Sequence, residues 1–374
     1  MPHLHISTSQ HESQSQYYYH LPITHHCILT IKNNSYITSL AIGGKFLYTG
    51  SSNKEIHILK CDNLMYEFDN ELNNSMITTG NGAVKSLVVS ADKIYSAHQD
   101  HKIRVWKVDE NGTQQKKLIQ LATLPTFSDR ALTILIPKNH VQVSRHKKST
   151  WVHHNDTVSA LAVSRDGLVL YSVSWDRTLK IWRTTDFKCL ESIANAHDDA
   201  INAVALSSHG DVYTGSTDKK IKIWRKLKSP EGEKHSLITT LNKHRSGINA
   251  LALSINEDVL YSGASDRLIM VWEKSDDDMV VVCTLKGHVK SVLCLSVVSD
   301  LLCSGSADET IRIWRGIGKG YSCLAVLEGH RGPVKCLTSE TDCNNLSDTS
   351  ANYLIYSGGL DSDIKLWQIL IPLC

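Results

Sequence analysis

Short apolar runs bounded by polar turn clusters recur along the chain from about residue 24 onward. One set reads ITSLAI, VKSLVVS, VSALAVS, INAVALS, INALALS, VLCLSVV and VKCLTS, and each predicts a strand. Downstream of each stands a second pattern, clearest in YSVSWDRTLKIW (171–182). It returns as YTGSTDKKIKIW (213–224), YSGASDRLIMVW (261–272), CSGSADETIRIW (303–314), YSGGLDSDIKLW (356–367) and YSAHQDHKIRVW (95–106). A degenerate copy, YTGSSNKEIHIL, occupies 48–59. Each unit is therefore three short β runs joined by turns, with a fourth strand in the connection, as in HSLITTLNKH. In the later copies the closing tryptophans lie 42, 48, 42 and 53 residues apart. A four-stranded sheet of that size cannot bury its own faces, so the seven units must stack as propeller blades do.

Spacing within the units is regular. In all seven, Asp or Asn stands six residues before the closing Trp or Leu, and Ser or Thr stands four before that. In the last five, a histidine lies four residues ahead of the apolar run: His154, His197, His244, His288 and His330. The first two units depart, with Asn33 and Gly80 at the histidine position and Asn53 and Leu59 replacing the first unit's Asp and Trp. Ser, Asp and His together look like a hydrolytic triad. An active site needs one copy, however, and a fivefold repeat serves folding. No phosphate-binding loop, nucleophile elbow or H-E-x-x-H motif occurs. No catalytic residue is expected.

Bulk properties narrow the function classes. The chain has 374 residues, is 41% hydrophobic and carries a formal net charge of +2. That allows a sizeable core and argues against a dedicated nucleic-acid or anionic-membrane protein. No apolar run approaches the roughly 18 residues of a membrane span. The start, MPHLHISTSQHESQSQYYYH, lacks the basic head and apolar stretch of a secretory signal. Ten cysteines are scattered through apolar runs with no C-x-x-C, which predicts free thiols in the cytoplasm or nucleus. His25–His26 and His153–His154 lack metal-ligand spacing, and no metal or cofactor is expected.

These units resemble the WD40 repeat family over nearly the whole chain. Within it they are similar to the plant JINGUBANG-like proteins, on SLVVSADKIYSAHQDHKIRVW, HVQVSRHKKSTWVHHNDTVSALAVSRDGLVLYSVSWDRTLKIWRTTDFKCLESI and YSCLAVLEGHRGPVKCL. The resemblance implies an all-β, seven-bladed propeller over 24–374, and the polar start, rich in Ser, Gln, His and Tyr with no apolar periodicity, reads as a disordered tail, 1–23. The chain stops at IKLWQILIPLC, just past the last unit's third strand, and HCILTIK (26–32) is spare. That N-terminal strand is expected to complete the last blade and so remove the open sheet edges. Five blades should each hold a hydrogen-bonded tetrad in which the indole N–H donates to the hydroxyl, the hydroxyl to the imidazole and the imidazole to the carboxylate. The sets are His154/Ser172/Asp176/Trp182, His197/Thr214/Asp218/Trp224, His244/Ser262/Asp266/Trp272, His288/Ser304/Asp308/Trp314 and His330/Ser357/Asp361/Trp367.

By the same resemblance, the residue before each Asp and those one and three after each His face the top of the ring, around the central channel. Tyr36, Gln99, Trp175, Arg245, Arg331 and Leu360 are the expected protein-binding residues. Trp175 has Ser52, Gln99, Thr217, Ser265, Ala307 and Leu360 as counterparts, so the fold does not require an indole there. It is either an interaction anchor or a ring packed under the insertion at about 107–153. The two arginines can fork onto carboxylate or phosphate, so the peptide partner is expected to be acidic or phosphorylated.

The expected function is a non-catalytic scaffold, acting as a monomeric ring that binds proteins in a regulatory role in a plant cell. One alternative is a substrate receptor of a cullin-type ubiquitin ligase. Against it, Lys107, Arg183, Arg225, Glu273, Arg315 and Gln368 follow the closing tryptophans, where that class often carries W-D-x-R. The other is nucleic-acid or phosphate contact through Arg145, Lys147 and Lys148 in the insertion. Whether LIQLATL or STWVHH supplies the second blade's outer strand stays open at this level.

Overall fold

The second run of each unit is buried over most of its length, and over all of it in Val212–Ser216 and Leu301–Ser306. Such a strand must lie in the middle of a blade, packed on both faces. Outer runs alternate instead: Asp278–Leu285 alternates exposed with half-buried side chains before ending on buried Leu285. The structure, a computed structural model, describes residues 23–61, 76–78, 80–109, 117–134, 140–144, 147–229, 232–275, 278–317, 320–342 and 350–372. They form seven four-stranded antiparallel sheets, each running from the inside outward, arranged as a propeller. Inner strands touch from blade to blade and from the seventh back to the first.

Blade 1 comprises Ile37–Gly43, Phe46–Ser51, Glu55–Lys60 and the short Met76–Thr78. Blade 2 comprises Val84–Ser90, Lys93–His98, Ile103–Asp109 and Lys117–Leu124. LIQLATL is therefore its outer strand, and the front of the 107–153 segment belongs to the blade itself. What remains is a helix, Phe127–Ile134, and a two-stranded hairpin of His140–Ser144 with Lys147–Thr150. Blade 3 spans 158–193, and blades 4 to 6 span 201–241, 248–285 and 292–327. Residues 1–22 of the expected tail and Arg145 lie outside the described residues, whereas Ile23, the tail's last residue, packs against the core of blades 6 and 7. Among those residues no helix is long and apolar enough to cross a membrane.

Ring closure follows the expected route. Thr24–Lys32 pairs antiparallel with Asp363–Pro372, outermost in the sheet of blade 7. Its Leu29 is buried in one cluster with Ile37 and Leu40 of blade 1 and Tyr356 and Leu366 of blade 7. In five blades a glycine of the second strand lets the next blade stack closely, while blades 2 and 3 carry Ala97 and Val173 at that place. A Cβ on Gly215 would fall 2.6 Å from Ile248 of the next blade, and one on Gly263 would fall 2.6 Å from Val292.

Every inner strand carries a bulge after its first residue. The extra residue leaves the ladder and its side chain is re-aimed. In four blades it latches onto the next inner strand: Thr38 donates to the Val84 carbonyl, Ser159 to Ile201, Asn202 to Ile248 and Asn249 to Val292. In the other three blades the bulged residues are Lys85, Leu293 and Lys335.

Candidate functional site

Blades 3 to 7 each carry one hydrogen-bonded tetrad, made from the residues that the repeat spacing aligns. In blade 3, Trp182 donates to Ser172 Oγ at 2.8 Å, Ser172 meets His154 Nε2 at 2.7 Å, and His154 Nδ1 faces Asp176 at 3.3 Å. In blade 4, Trp224 donates to Thr214 Oγ1 at 3.0 Å, Thr214 meets His197 at 2.7 Å, and His197 meets Asp218 at 2.8 Å. Blade 5 joins Trp272 to Ser262 at 2.8 Å, Ser262 to His244 at 2.8 Å and His244 to Asp266 at 2.9 Å. Blade 6 repeats this with Trp314 to Ser304 at 2.8 Å, Ser304 to His288 at 2.8 Å and His288 to Asp308 at 2.9 Å. Blade 7 links Trp367 to Ser357 at 2.8 Å, Ser357 to His330 at 2.7 Å and His330 to Asp361 at 2.8 Å.

Burial pushes the His154, His288 and His330 imidazoles below their usual range, against the pull of the paired carboxylates. Burial alone would raise Asp218, but its bond to His197, that residue's charge and two backbone N–H groups hold it down at about 2. In blades 3, 6 and 7 burial thus favours the neutral imidazole beside the carboxylate.

The same carboxylates shape the loops above them. Each accepts the backbone N–H of the residue after its histidine, including Arg245 at 2.9 Å and Arg331 at 2.8 Å. Their second oxygens cap the turn that follows, where residues such as Arg177, Lys219 and Arg267 take positive φ. The tetrads therefore hold the rim of the ring in place.

Blade 2 lacks a histidine at Gly80 but does not lack the network. His98, fully buried on the second strand, turns Nε2 to Ser96 Oγ at 2.7 Å and Nδ1 to the Gly82 carbonyl at 3.1 Å. Trp106 donates to the same Ser96 at 2.7 Å. Arg104 pairs with Asp100 through two bonds, at 3.1 and 2.5 Å. Sequence reasoning missed this substitution. The only signal was His98 itself, where the other blades carry Ser, Ala or Gly.

In every blade a backbone bond brings the two sets of rim positions together. The N–H of the residue before the Asp or Asn donates to the carbonyl three residues after the histidine position: Trp175 to Thr157, Gln99 to Ala83, Leu360 to Pro333 and Ser52 to Tyr36. The six residues expected to bind protein, Tyr36, Gln99, Trp175, Arg245, Arg331 and Leu360, are all exposed. Tyr36 is 53% and Trp175 41% exposed, and Val289, just after His288, is 68% exposed. Trp175 lies against Lys85 of the neighbouring blade, whose Nζ stands 5.6 Å from the ring centroid. Burial lowers the Lys85 pKa, and the charge of Lys335 lowers it further, so two bulged lysines feel each other near blade 1. Both escaped notice in the sequence, although a lysine second in an inner-strand run was visible in VKSLVVS and VKCLTS. Of the basic trio in the insertion, Lys147 and Lys148 lie on the hairpin strand Lys147–Thr150.

Seven blades closed by the N-terminal strand, tetrads behind a rim of exposed loops: these define a WD-type propeller. The family WD domain, G-beta repeat, matches residues 145–183, 187–225, 235–273, 279–315 and 321–368, more than half of the chain, and the chain belongs to it. An uncharacterized WD repeat-containing protein of Schizosaccharomyces pombe is 27% identical over 128 residues, 33% of this chain and 34% of its own. The ribosome biogenesis protein ytm1 of Neosartorya fischeri is 25% identical over 158 residues, 38% of this chain and 32% of its own. The chain thus spans about a third of the length of these relatives.

Proposed function

We propose that this chain is a non-catalytic scaffold that grips an acidic or phosphorylated segment of a partner protein on the top face of its ring. The observation that carries the reading is the Lys85–Trp175 pair: an exposed indole beneath an ammonium, with Lys335 close enough to depress that ammonium further. An aromatic ring desolvates a large area with few rotamers to freeze, and adjoining cations select an anionic neighbour. Exposed Arg331 and Arg245 extend that charge around the rim. The tetrad residues have no atom to spare for chemistry, which supports a binding role. A regulatory part in a plant cell rests on the likeness to JINGUBANG-like sequences, and a place in cytoplasm or nucleus rests on the scattered cysteines. The test compares proteins captured from plant cell extract by the wild-type ring, by Trp175→Ala/Arg331→Glu and by Lys85→Glu, after checking that all three melt alike. Partners lost by both variants and eluted by moderate salt support the reading; an unchanged partner set overturns it.

A further inference from the structure

Each inner strand holds one side chain outside its ladder, at the bulge after its first residue. Thr38, Ser159, Asn202 and Asn249 use that side chain to bond the next inner strand. Blades 2 and 7 give up the bond and carry lysine there, Lys85 and Lys335. Both sit at the rim end of their strands, two residues past Ala83 and Pro333, whose carbonyls accept from the rim residues Gln99 and Leu360. The inner strands of these two blades flank that of blade 1, so one narrow strand separates the lysines.

Neither ammonium has a carboxylate partner among the described residues. Lys335 is exposed, and Lys85, partly buried, lies over the exposed Trp175 ring with Nζ 5.6 Å from its centroid. Burial first, and then the charge of Lys335, hold the Lys85 pKa below its usual range. A partly buried ammonium repelled by a second one is unfavourable, and no group of the chain offsets it. An anion seated between them would. A carboxylate brings one charge and leaves one ammonium uncompensated, whereas a phosphate group brings nearly two charges and three acceptor oxygens. Lysine, a point charge with three rotatable donors, suits such a group.

We propose that Lys85 and Lys335 form a phosphate-group site at the rim, with the Trp175 ring as its apolar wall; the inference rests on the scaffold reading above and names the anion. Calorimetric titration of the full chain with inorganic phosphate tests this, beside acetate as a singly charged oxyanion. Phosphate should bind about tenfold more tightly than acetate or better, and Lys85→Asn and Lys335→Asn should each weaken it by about tenfold or more. Blades 4 and 5 carry asparagine at the bulge, so both variants should fold and melt no lower than wild type. N-acetyl-phosphoserine-amide separates the sources: tighter binding than inorganic phosphate supports a phosphorylated partner segment, and weaker binding supports a free phosphate. Phosphate binding no tighter than acetate, or left unchanged by both substitutions, overturns the inference. Partner capture by Lys85→Glu decides the scaffold reading separately. Partners lost by that variant, with no preference for phosphate, would sink the phosphate site and leave the scaffold standing.

Discussion

His98→Ala probes whether blade 2 is held by a histidine from the wrong place in the repeat. The substitution removes an imidazole from a site with no solvent exposure and breaks its bonds to Ser96 and Gly82. Ser96 can turn its proton to the Arg104 carbonyl, 3.4 Å away. The Gly82 carbonyl loses its imidazole donor, at roughly 1–3 kcal/mol, and the empty space adds to that. A total of about 2–4 kcal/mol follows, read from urea unfolding at pH 7. A histidine returned to position 80 should restore none of it. Gly80 has φ +96°, and a Cβ there would fall 2.7 Å from the Arg104 guanidinium. Acid offers a second reading. Burial, and then the charge of Arg104, push the His98 pKa down to about 4, against roughly 6.5 in an unfolded chain. The folded state thus binds fewer protons than the unfolded one between those values, and stability is lost as pH falls through that window. At pH 5 the wild type should have lost about 2 kcal/mol that the alanine variant does not lose, narrowing the gap between them. A variant within about 0.5 kcal/mol of wild type at pH 7, or a gap that does not narrow in acid, would refute the reasoning.

Three further outcomes are expected. Leu29→Ala, in the strand that completes blade 7, should cost about 2–4 kcal/mol by thermal or urea unfolding, because the leucine is buried between the first and last blades. Gly358→Ala should cost about 1–3 kcal/mol in the same assay, since its methyl would collide with Ile37 across the same joint; a neutral result would show the joint to be looser than described. Trp175→Ala should shift unfolding by less than about 0.5 kcal/mol while reducing partner capture, as an exposed rim residue should.

Trp182, Ser172, His154 and Asp176 were legible because a directional hydrogen-bond chain needs the same residue types at matching strand and turn positions in each of the five blades that carry it. The same offsets pick out Thr214 with Trp224 and Ser357 with Trp367, although blade 7 carries a longer link between its first two strands. The closing strand was legible as a remainder, HCILTIK, beside a blade one strand short. The outer strand of blade 2 was not, because LIQLATL and STWVHH have similar local character and only ladder pairing with Ile103–Asp109 chooses between them.

Repetition along the chain thus determined the blade count and the aligned His, Ser or Thr, Asp and Trp positions by itself, since each blade meets the same packing problem; the tetrads and the rim positions came with the likeness to the WD40 family. It marked where a repeat was broken, at Gly80, Asn33 and Leu59, without showing what followed from the break. Only the tertiary structure decided that His98 replaces the first loss and that Lys85 reaches Trp175. Those outcomes depend on which side chains from different strands meet in space, and neither offsets nor propensities encode that distance.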